Sequence, residues 1–356
     1  MTRFTSSPVL LVALAALAPS TPLRAQSAGE ALQVRAGTVE LTFGGRLQTQ
    51  LNTSSVETAA PSELFIRRAR FEVEVRVDDR VSGTIQPDFG GGDVELKDAY
   101  LQLDLSPSVG FRAGRSYRPF GLLEQTSSKR MLMIERGLRI RGLTAAEEYA
   151  TVSGLGYSNR DIGLQILGSP EGAPLGLAYR AGVFRGPLHG SVGSQDSYQL
   201  AARATIQPSP NLRVGGGWSS RHFASPVDGD PELRRGHAFE IDAEYGGFGP
   251  GFHALAEISH ADLDPFADRG FWGAQLWTAY RTEPLDDAGT MVEPVFRLSV
   301  GDPDDSAPTA GGTLLTPGIS LYLGPLNRIM LNLDLWLADG GGDNVRSFKA
   351  MFQLGF

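Results

Sequence analysis

The chain contains no cysteine. Disulfides, Cys-based zinc sites and a cysteine nucleophile are therefore excluded. Long apolar runs are also missing. None reaches the roughly 18 residues of a membrane-crossing helix. Lysine is scarce: only Lys97, Lys129 and Lys349 occur, so nearly all positive charge is arginine. The net charge of −8 gives no electrostatic reason to expect a nucleic acid partner.

What the chain does have begins with a secretion pattern. Arg3 supplies a positive start, Val9 to Ala18 (VLLVALAALA) an apolar stretch, and Pro19 to Ala25 a cleavage region. That order reads as a signal peptide over residues 1–25, too short to span a membrane as a helix. Residues 26–38 form an N-terminal segment, and residues 39–356 the folded domain.

From residue 39 onward the dominant signal has period two. Phe348, Ala350, Phe352, Leu354 and Phe356 fall on one face, against Ser347, Lys349, Met351, Gln353 and Gly355. Ile329, Leu331, Leu333, Leu335 and Leu337 oppose Arg328, Asn332, Asp334 and Trp336. Strict alternation sends the two sets to opposite sides of a sheet. About sixteen such segments start near 39, 63, 80, 94, 108, 160, 175, 196, 210, 235, 250, 270, 290, 313, 327 and 346. Their length suits a membrane-crossing strand, roughly 9–11 residues. The charged faces (Arg68, Arg70, Glu72, Glu74 and Arg76; Glu240, Asp242 and Glu244) suit a wet interior rather than an apolar core.

The connections alternate too. Asp78-Asp79, Ser106-Pro107-Ser108, 169–174, 208–211, 246–250, 283–289 and 324–327 are short and rich in turn-forming residues. Between them lie longer stretches at 52–62, 117–159, 185–195, 222–234, 261–269, 300–312 and 338–345, with Gly90 to Asp93 the short exception. Tyr245 and Tyr280 sit on the apolar face beside short turns, as an aromatic girdle would, and Phe356 shares the apolar face. The expectation is an all-β protein, a 16-stranded antiparallel transmembrane β-barrel of the cell outer membrane.

Three stretches carry a family resemblance. Residues 66–80 (IRRARFEVEVRVDDR), 94–105 (VELKDAYLQLDL) and 109–136 (VGFRAGRSYRPFGLLEQTSSKRMLMIER) are similar, in order, to segments of the phosphate-selective porins O and P. The phrase PFGLLEQTSS is fairly specific. The resemblance implies a trimeric barrel whose third extracellular loop, here 117–159, folds inward as a constriction. It also implies passive conduction of small hydrophilic solutes, with small anions such as phosphate as partners; the residues themselves carry no clear signal of a cofactor or of catalysis. The family's lysine before PFG is here Arg118, and Lys129 is the sole lysine in the loop.

An anion leaving water needs donors along its path, and arginine's planar fork suits phosphate oxygens. The candidate path is Arg68, Arg70, Arg112, Arg115, Arg118, Lys129, Arg130 and Arg136. By alternation Arg46, Arg76, Arg180, Arg203, Arg213 and Arg297 also face the lumen, as do Asp98 and Tyr100. Glu72, Glu74, Asp88, Asp98 and Glu124 are available to pair with them, in which case the arginines brace the loop. Glu240, Asp242, Glu244 and Glu257 are expected to oppose anions from the far wall. Other readings of the same barrel are a general, sugar or organic-acid porin, or a plugged barrel acting as an adhesin or structural protein. His222 with Ser219, Ser220 and Asp228 lacks the context of a Ser-His-Asp site. Asp302 to Asp305 (DPDD) offers carboxylates to a hard cation but lacks a full calcium-loop signature. Gly90-Gly91-Gly92 has no following helix and reads as a turn.

Overall fold

Residues that alternate in sequence form strands whose two faces meet different surroundings. The structure, a computed structural model, describes residues 32–186, 197–224, 232–303 and 311–356. Residues 1–25, read as a signal peptide, lie outside the described residues, as do 26–31. The strands are β1 (Leu32–Ala36), β2 (Val39–Thr53), β3 (Ser62–Arg76), β4 (Val81–Asp88), β5 (Glu95–Ser106) and β6 (Val109–Tyr117). They continue with β7 (Arg160–Gly168), β8 (Ala178–Gly186), β9 (Ser197–Ser209), β10 (Leu212–Ala224), β11 (Leu233–Tyr245) and β12 (Gly251–Asp264). The last are β13 (Arg269–Arg281), β14 (Met291–Pro303), β15 (Gly312–Tyr322), β16 (Arg328–Ala338) and β17 (Val345–Gly355). From β2 onward each strand pairs antiparallel with the next, and β17 returns to pair with β2. The result is a closed barrel of sixteen strands, as the alternation predicts.

β1 is the addition. The segment before residue 39 was expected to precede the sheet, yet Leu32–Ala36 joins it through a two-residue turn at Gly37-Thr38. Gly37 has φ 63°, a left-handed conformation that glycine adopts without strain. Five residues are too few for period two to stand out in sequence. β1 lies along the first part of β2, from Val39 to Phe43, while β17 takes the same edge further on, from Arg46 to Asn52.

The two faces are inverted relative to a water-soluble fold. Ile258, Leu331, Leu333, Phe352 and Leu354 are exposed, while Arg297, Arg328, Asp334 and Lys349 are buried. An apolar surface of this extent needs hydrocarbon around it. Aromatic side chains mark both edges of the band. Tyr245, Phe252 and Tyr280 point outward at the short-turn end. Trp218, Phe239, His260 and Trp272 face one another across strands at the other end. Along β13, Trp272 and Tyr280 are eight residues apart, about 26 Å of extended strand. That matches an apolar band about 25 Å tall.

One bulge changes which residues face in. Gln48 pairs with Arg68, but Thr49 pairs with Ile66, leaving Arg67 as the extra residue. A bulge puts two residues opposite one and shifts the alternation. Arg67 and Arg68 consequently both reach the interior.

A charge placed in the apolar band tests this orientation. Leu333→Arg, at the middle of β16, is expected to destabilise the barrel by about 2–4 kcal/mol in lipid vesicles. Denaturant unfolding followed by tryptophan fluorescence measures it. Unchanged stability would mean that this face does not meet lipid.

Candidate permeation pathway

Residues 118–159 leave β6 and pack on inward-facing side chains of the barrel. The chain bends at Gly121, with φ 81°, into α1 (Leu122–Gln125), and returns through α2 (Glu148–Gly154). Apolar contacts hold it. Leu122, Leu123, Met131, Leu132 and Met133 cluster with Leu255, Trp277, Ala279 and Val295 from β12 to β14. Ile134 meets Met330 and Met351, and Ile140 meets Leu314 and Trp336. These wall residues are apolar on the polar face of their strands. That exception to the alternation is the signal in sequence that marks where this segment docks.

Polar anchors complete the seat. Leu123 N donates to Glu257 Oε2 at 3.1 Å, and Ile134 N to Asn332 Oδ1 at 2.8 Å. Ser299 donates to Glu147 at 2.7 Å, and Ser259 to Glu148 at 2.6 Å; Gln275 also donates to Glu148. Two glycines permit this approach. A Cβ on Gly273 would lie 2.8 Å from the Glu148 side chain, and one on Gly301 2.7 Å from Glu147 Cα. Burial pushes the Glu148 carboxyl up to about 7, aided by the neighbouring charges of Glu147 and Glu240 and opposed by the Ser259 and Gln275 hydrogen bonds.

Several predicted path residues prove to be braces. Arg136 is buried and donates to Leu123 O at 2.7 Å and Thr126 O at 2.6 Å, pinning α1. Arg118 is buried and donates to Ser158 O, and burial pulls its pKa down to about 10. Arg68 donates to Gln48 at 2.8 Å and lies 3.9 Å from Glu135. Arg67, missed by simple alternation, grips Glu135 at 2.7 and 3.0 Å. Burial by itself would raise the Glu135 pKa, but Arg67, with Arg68 and Arg139, holds it well below the usual carboxylate range. Arg70 pairs with Asp88 at 2.6 Å. Asp98 and Tyr100 lie on the same face of β5. Asp98 takes Arg160 at 3.0 Å, and the Tyr100 ring carries Arg112 at 4.1 Å. Arg115 is a correction. It shares the face of outward-pointing Phe111, opposite Arg112, and donates to Leu96 O at 2.7 Å. Three residues separate it from Arg112, an odd step that reverses the face.

Open space remains beside the segment, toward β2 to β10. A cavity of about 370 Å³ is lined by Arg46, Glu72, Asp98, Lys129, Arg130 and Arg160, among others. A larger one of about 1120 Å³ at the short-turn end includes Arg80, Arg130, Arg180, Arg203, Arg213 and Phe248. Gln125, Ser127 and Arg130 border both. Arg46 bonds Gln86 at 3.2 Å and Ser127 at 3.5 Å. Arg180 bonds Gln125 at 2.9 Å, Gln165 at 3.0 Å and Tyr117 O at 3.2 Å. Arg112 bonds Gln102 at 2.6 Å. Among the described residues, Arg46, Arg112, Arg130 and Arg180 form no ion pair with a carboxylate. Lys129 stands 4.0 Å from Glu72, and burial lowers its pKa.

The other wall is neutralised. Arg203 pairs with Glu240 and Asp242 at 2.5 Å, Arg281 with Glu293 at 2.7 Å, and Asp334 with Arg297 at 3.0 Å and with Lys349. Glu244 takes Arg213 and His253. Glu257 lies beneath α1, bonded to Leu123. The expectation that these acids oppose anions is thus corrected. They are covered by the docked segment or held by arginine. His222 bonds Arg235 at 3.2 Å, and Ser219 donates to Tyr157 O at 2.8 Å. Asp228 lies outside the described residues, as do Asp304 and Asp305, while Asp302 accepts from Trp272 at 2.8 Å.

Comparison with known proteins agrees with this architecture. The family described as phosphate-selective porin O and P matches residues 32–223. An anion-selective porin from Comamonas acidovorans superposes with a TM-score of 0.63 at 15% identity, covering 89% of this chain and 100% of its own. The outer membrane channel DcaP of Acinetobacter baumannii gives 0.61 at 13%, covering 90% and 99%. The trimer form of OmpT, an outer membrane protein of Vibrio cholerae, gives 0.60 at 12%, covering 90% and 100%. No curated protein matches the sequence.

Glu148 makes the docking of residues 118–159 depend on pH. The docked carboxyl binds a proton that the undocked one releases between its ordinary value of 4.5 and about 7. The Glu148 contribution to docking is therefore full below pH 4.5 and is lost as pH rises through 7, while the Glu135 ion pairs, whose contribution falls only below the ordinary carboxylate range, stay constant over that window. Amide hydrogen exchange of this segment, corrected for intrinsic rates, is expected to be faster at pH 8 than at pH 5. Glu148→Gln is expected to remove much of that difference. A flat wild-type profile would contradict the proton linkage.

Proposed function

Because this chain belongs to the phosphate-selective porin O and P family and is a porin of the outer membrane, we propose that it conducts small anions, phosphate among them, past an inward-folded third loop. The single observation that carries this reading is the unequal fate of charge on the two sides of the segment 118–159. On the closed side the carboxylates of β11 to β16 are bonded to arginine, lysine or loop backbone. On the open side Arg46, Arg112, Arg130 and Arg180 hold neutral partners and keep their charge available.

A cation surrounded by amides, hydroxyls and aromatic rings still attracts an anion, whereas one bonded to a carboxylate largely does not. An anion entering the 370 Å³ space meets Arg46, Lys129 and Arg130 together. It then meets Arg180 in the larger space. Glu72 and Asp98 on the same path, the latter already held by Arg160, keep binding weak enough for exit. With Lys129 as the sole loop lysine, the path favours small anions broadly rather than phosphate alone. The buried contacts of Leu123, Met133 and Ile134 support a loop fixed within the lumen. The likeness to the trimer form of an outer membrane protein supports a homotrimer. We read the function as transport; the bonds of His222 to Arg235 and of Ser219 to Tyr157 O support structural roles for these two residues.

Reversal potentials of single channels in a planar bilayer, across a potassium chloride gradient, test the reading. Anion preference is expected in the wild type, and Arg46→Ala with Arg130→Ala should lower it several-fold. Added phosphate should reduce the chloride current. Cation preference in the wild type would overturn the proposal.

A further inference from the structure

Turn 246–250 (GGFGP) joins β11 to β12 at the short-turn end. Its neighbours Tyr245 and Phe252 point outward, as aromatics at a membrane edge do. Phe248 does not. The chain reverses at Gly246, with φ 81°, where a Cβ would lie 2.2 Å from Phe252 O. Gly246 N donates to Asn211 O at 2.8 Å and Gly249 N to Gly247 O at 2.9 Å, fixing a tight bend. The Phe248 side chain is half-buried and lines the larger cavity.

Three guanidiniums surround this ring. Arg281 lies 4.1 Å from its centroid, Arg130 5.7 Å and Arg328 6.0 Å, and Tyr322 meets it edge-on at 6.1 Å. Two of the three are secured by other bonds. Arg281 pairs with Glu293 at 2.7 Å, and Arg328 donates to Tyr322 Oη at 2.7 Å and Lys129 O at 3.3 Å. Arg130 is different. It is exposed, it borders both cavities, and among the described residues the Phe248 ring is the one aromatic or ionic partner of its side chain.

We propose that Phe248 is a positioning residue for Arg130, holding its guanidinium at the junction of the two cavities without cancelling its charge. This rests on the anion-conduction reading above. A carboxylate in the same place would hold Arg130 more firmly but would remove its attraction for an anion. A flexible apolar side chain would leave the long arginine free to swing. An aromatic face attracts a cation through its quadrupole while carrying no net charge. Phe248 therefore sets selectivity from a turn that contributes no charge of its own.

The test uses full-length channels in a planar bilayer, comparing the wild type with F248L, F248W, F248E, R130A and the F248L/R130A pair. F248L is expected to lower the anion-to-cation permeability ratio about two- to five-fold, the worth of one exposed cation–π contact. F248W should retain the wild-type ratio, and F248E should lower it at least as far as R130A does. The double variant should fall no further than R130A alone. If F248L widens conductance but keeps the wild-type ratio while R130A lowers it, Phe248 only fills space and the proposal falls, with anion conduction intact. A wild type without anion preference would instead remove the underlying reading.

Discussion

Backbone N–H and C=O groups surrounded by hydrocarbon have no water to bond, so a sheet that crosses a membrane must close on itself. Here the closing seam runs from the Asn52–Lys349 pair to the Arg46–Gly355 pair. Everything else follows from that closure. A ring of sixteen strands cannot fill its own interior with side chains. Its inner face must therefore be polar and wet, or covered by something else. This chain does both, on different sides. Residues 118–159 cover the wall from β12 to β17 and reach β2, β3 and β10 through Gln48, Arg67 and Ser219, while the cavities lie against the parts of β2 to β10 that the segment leaves bare.

That division gives the lumen its electrical character more than composition does. The chain is acidic overall, and its inner face carries many carboxylates. Most are bonded to arginine or lysine or lie under the docked segment, as Glu257 does against the Leu123 amide, and the segment's own Glu135 is held by Arg67. The arginines left with glutamine, serine and aromatic partners border the open space. Net charge is a poor guide to the potential along such a path, because what matters is which charges remain unpaired beside the water.

Much of the architecture was legible in the sequence, because membrane strands record their two environments residue by residue. Starts expected near 39, 63, 94, 160 and 327 correspond to strands beginning at Val39, Ser62, Glu95, Arg160 and Arg328. The site was less legible, for reasons that are physical. Alternation assumes an unbroken ladder, and the extra residue at Arg67 breaks it. Arg115 was grouped with its basic neighbours in the motif, though its odd spacing from Arg112 turns it outward. The partners of Glu257 and Glu135 come from distant parts of the chain, through contacts that no local pattern encodes. Apolar residues on the wet face, such as Trp277, Val295 and Met330, were the overlooked record of the docked segment.

The hairpin of β1 and β2 has a mechanical consequence. A ring closed by one pair of strands has one joint, and a joint that ends flush can peel from its edge. Here the joint is lapped. β2 runs past the place where β17 stops, and β1 lies along the overhang, with Phe356 exchanging hydrogen bonds with Gly45 where the two meet. Both edges of β2 are thereby occupied along nearly its whole length, by β3 on one side and by β17 then β1 on the other. Peeling β17 away from this end leaves β2 still held by β1 and β3. The lap acts as a splice, turning what would be the weakest edge of the ring into one that resists fraying.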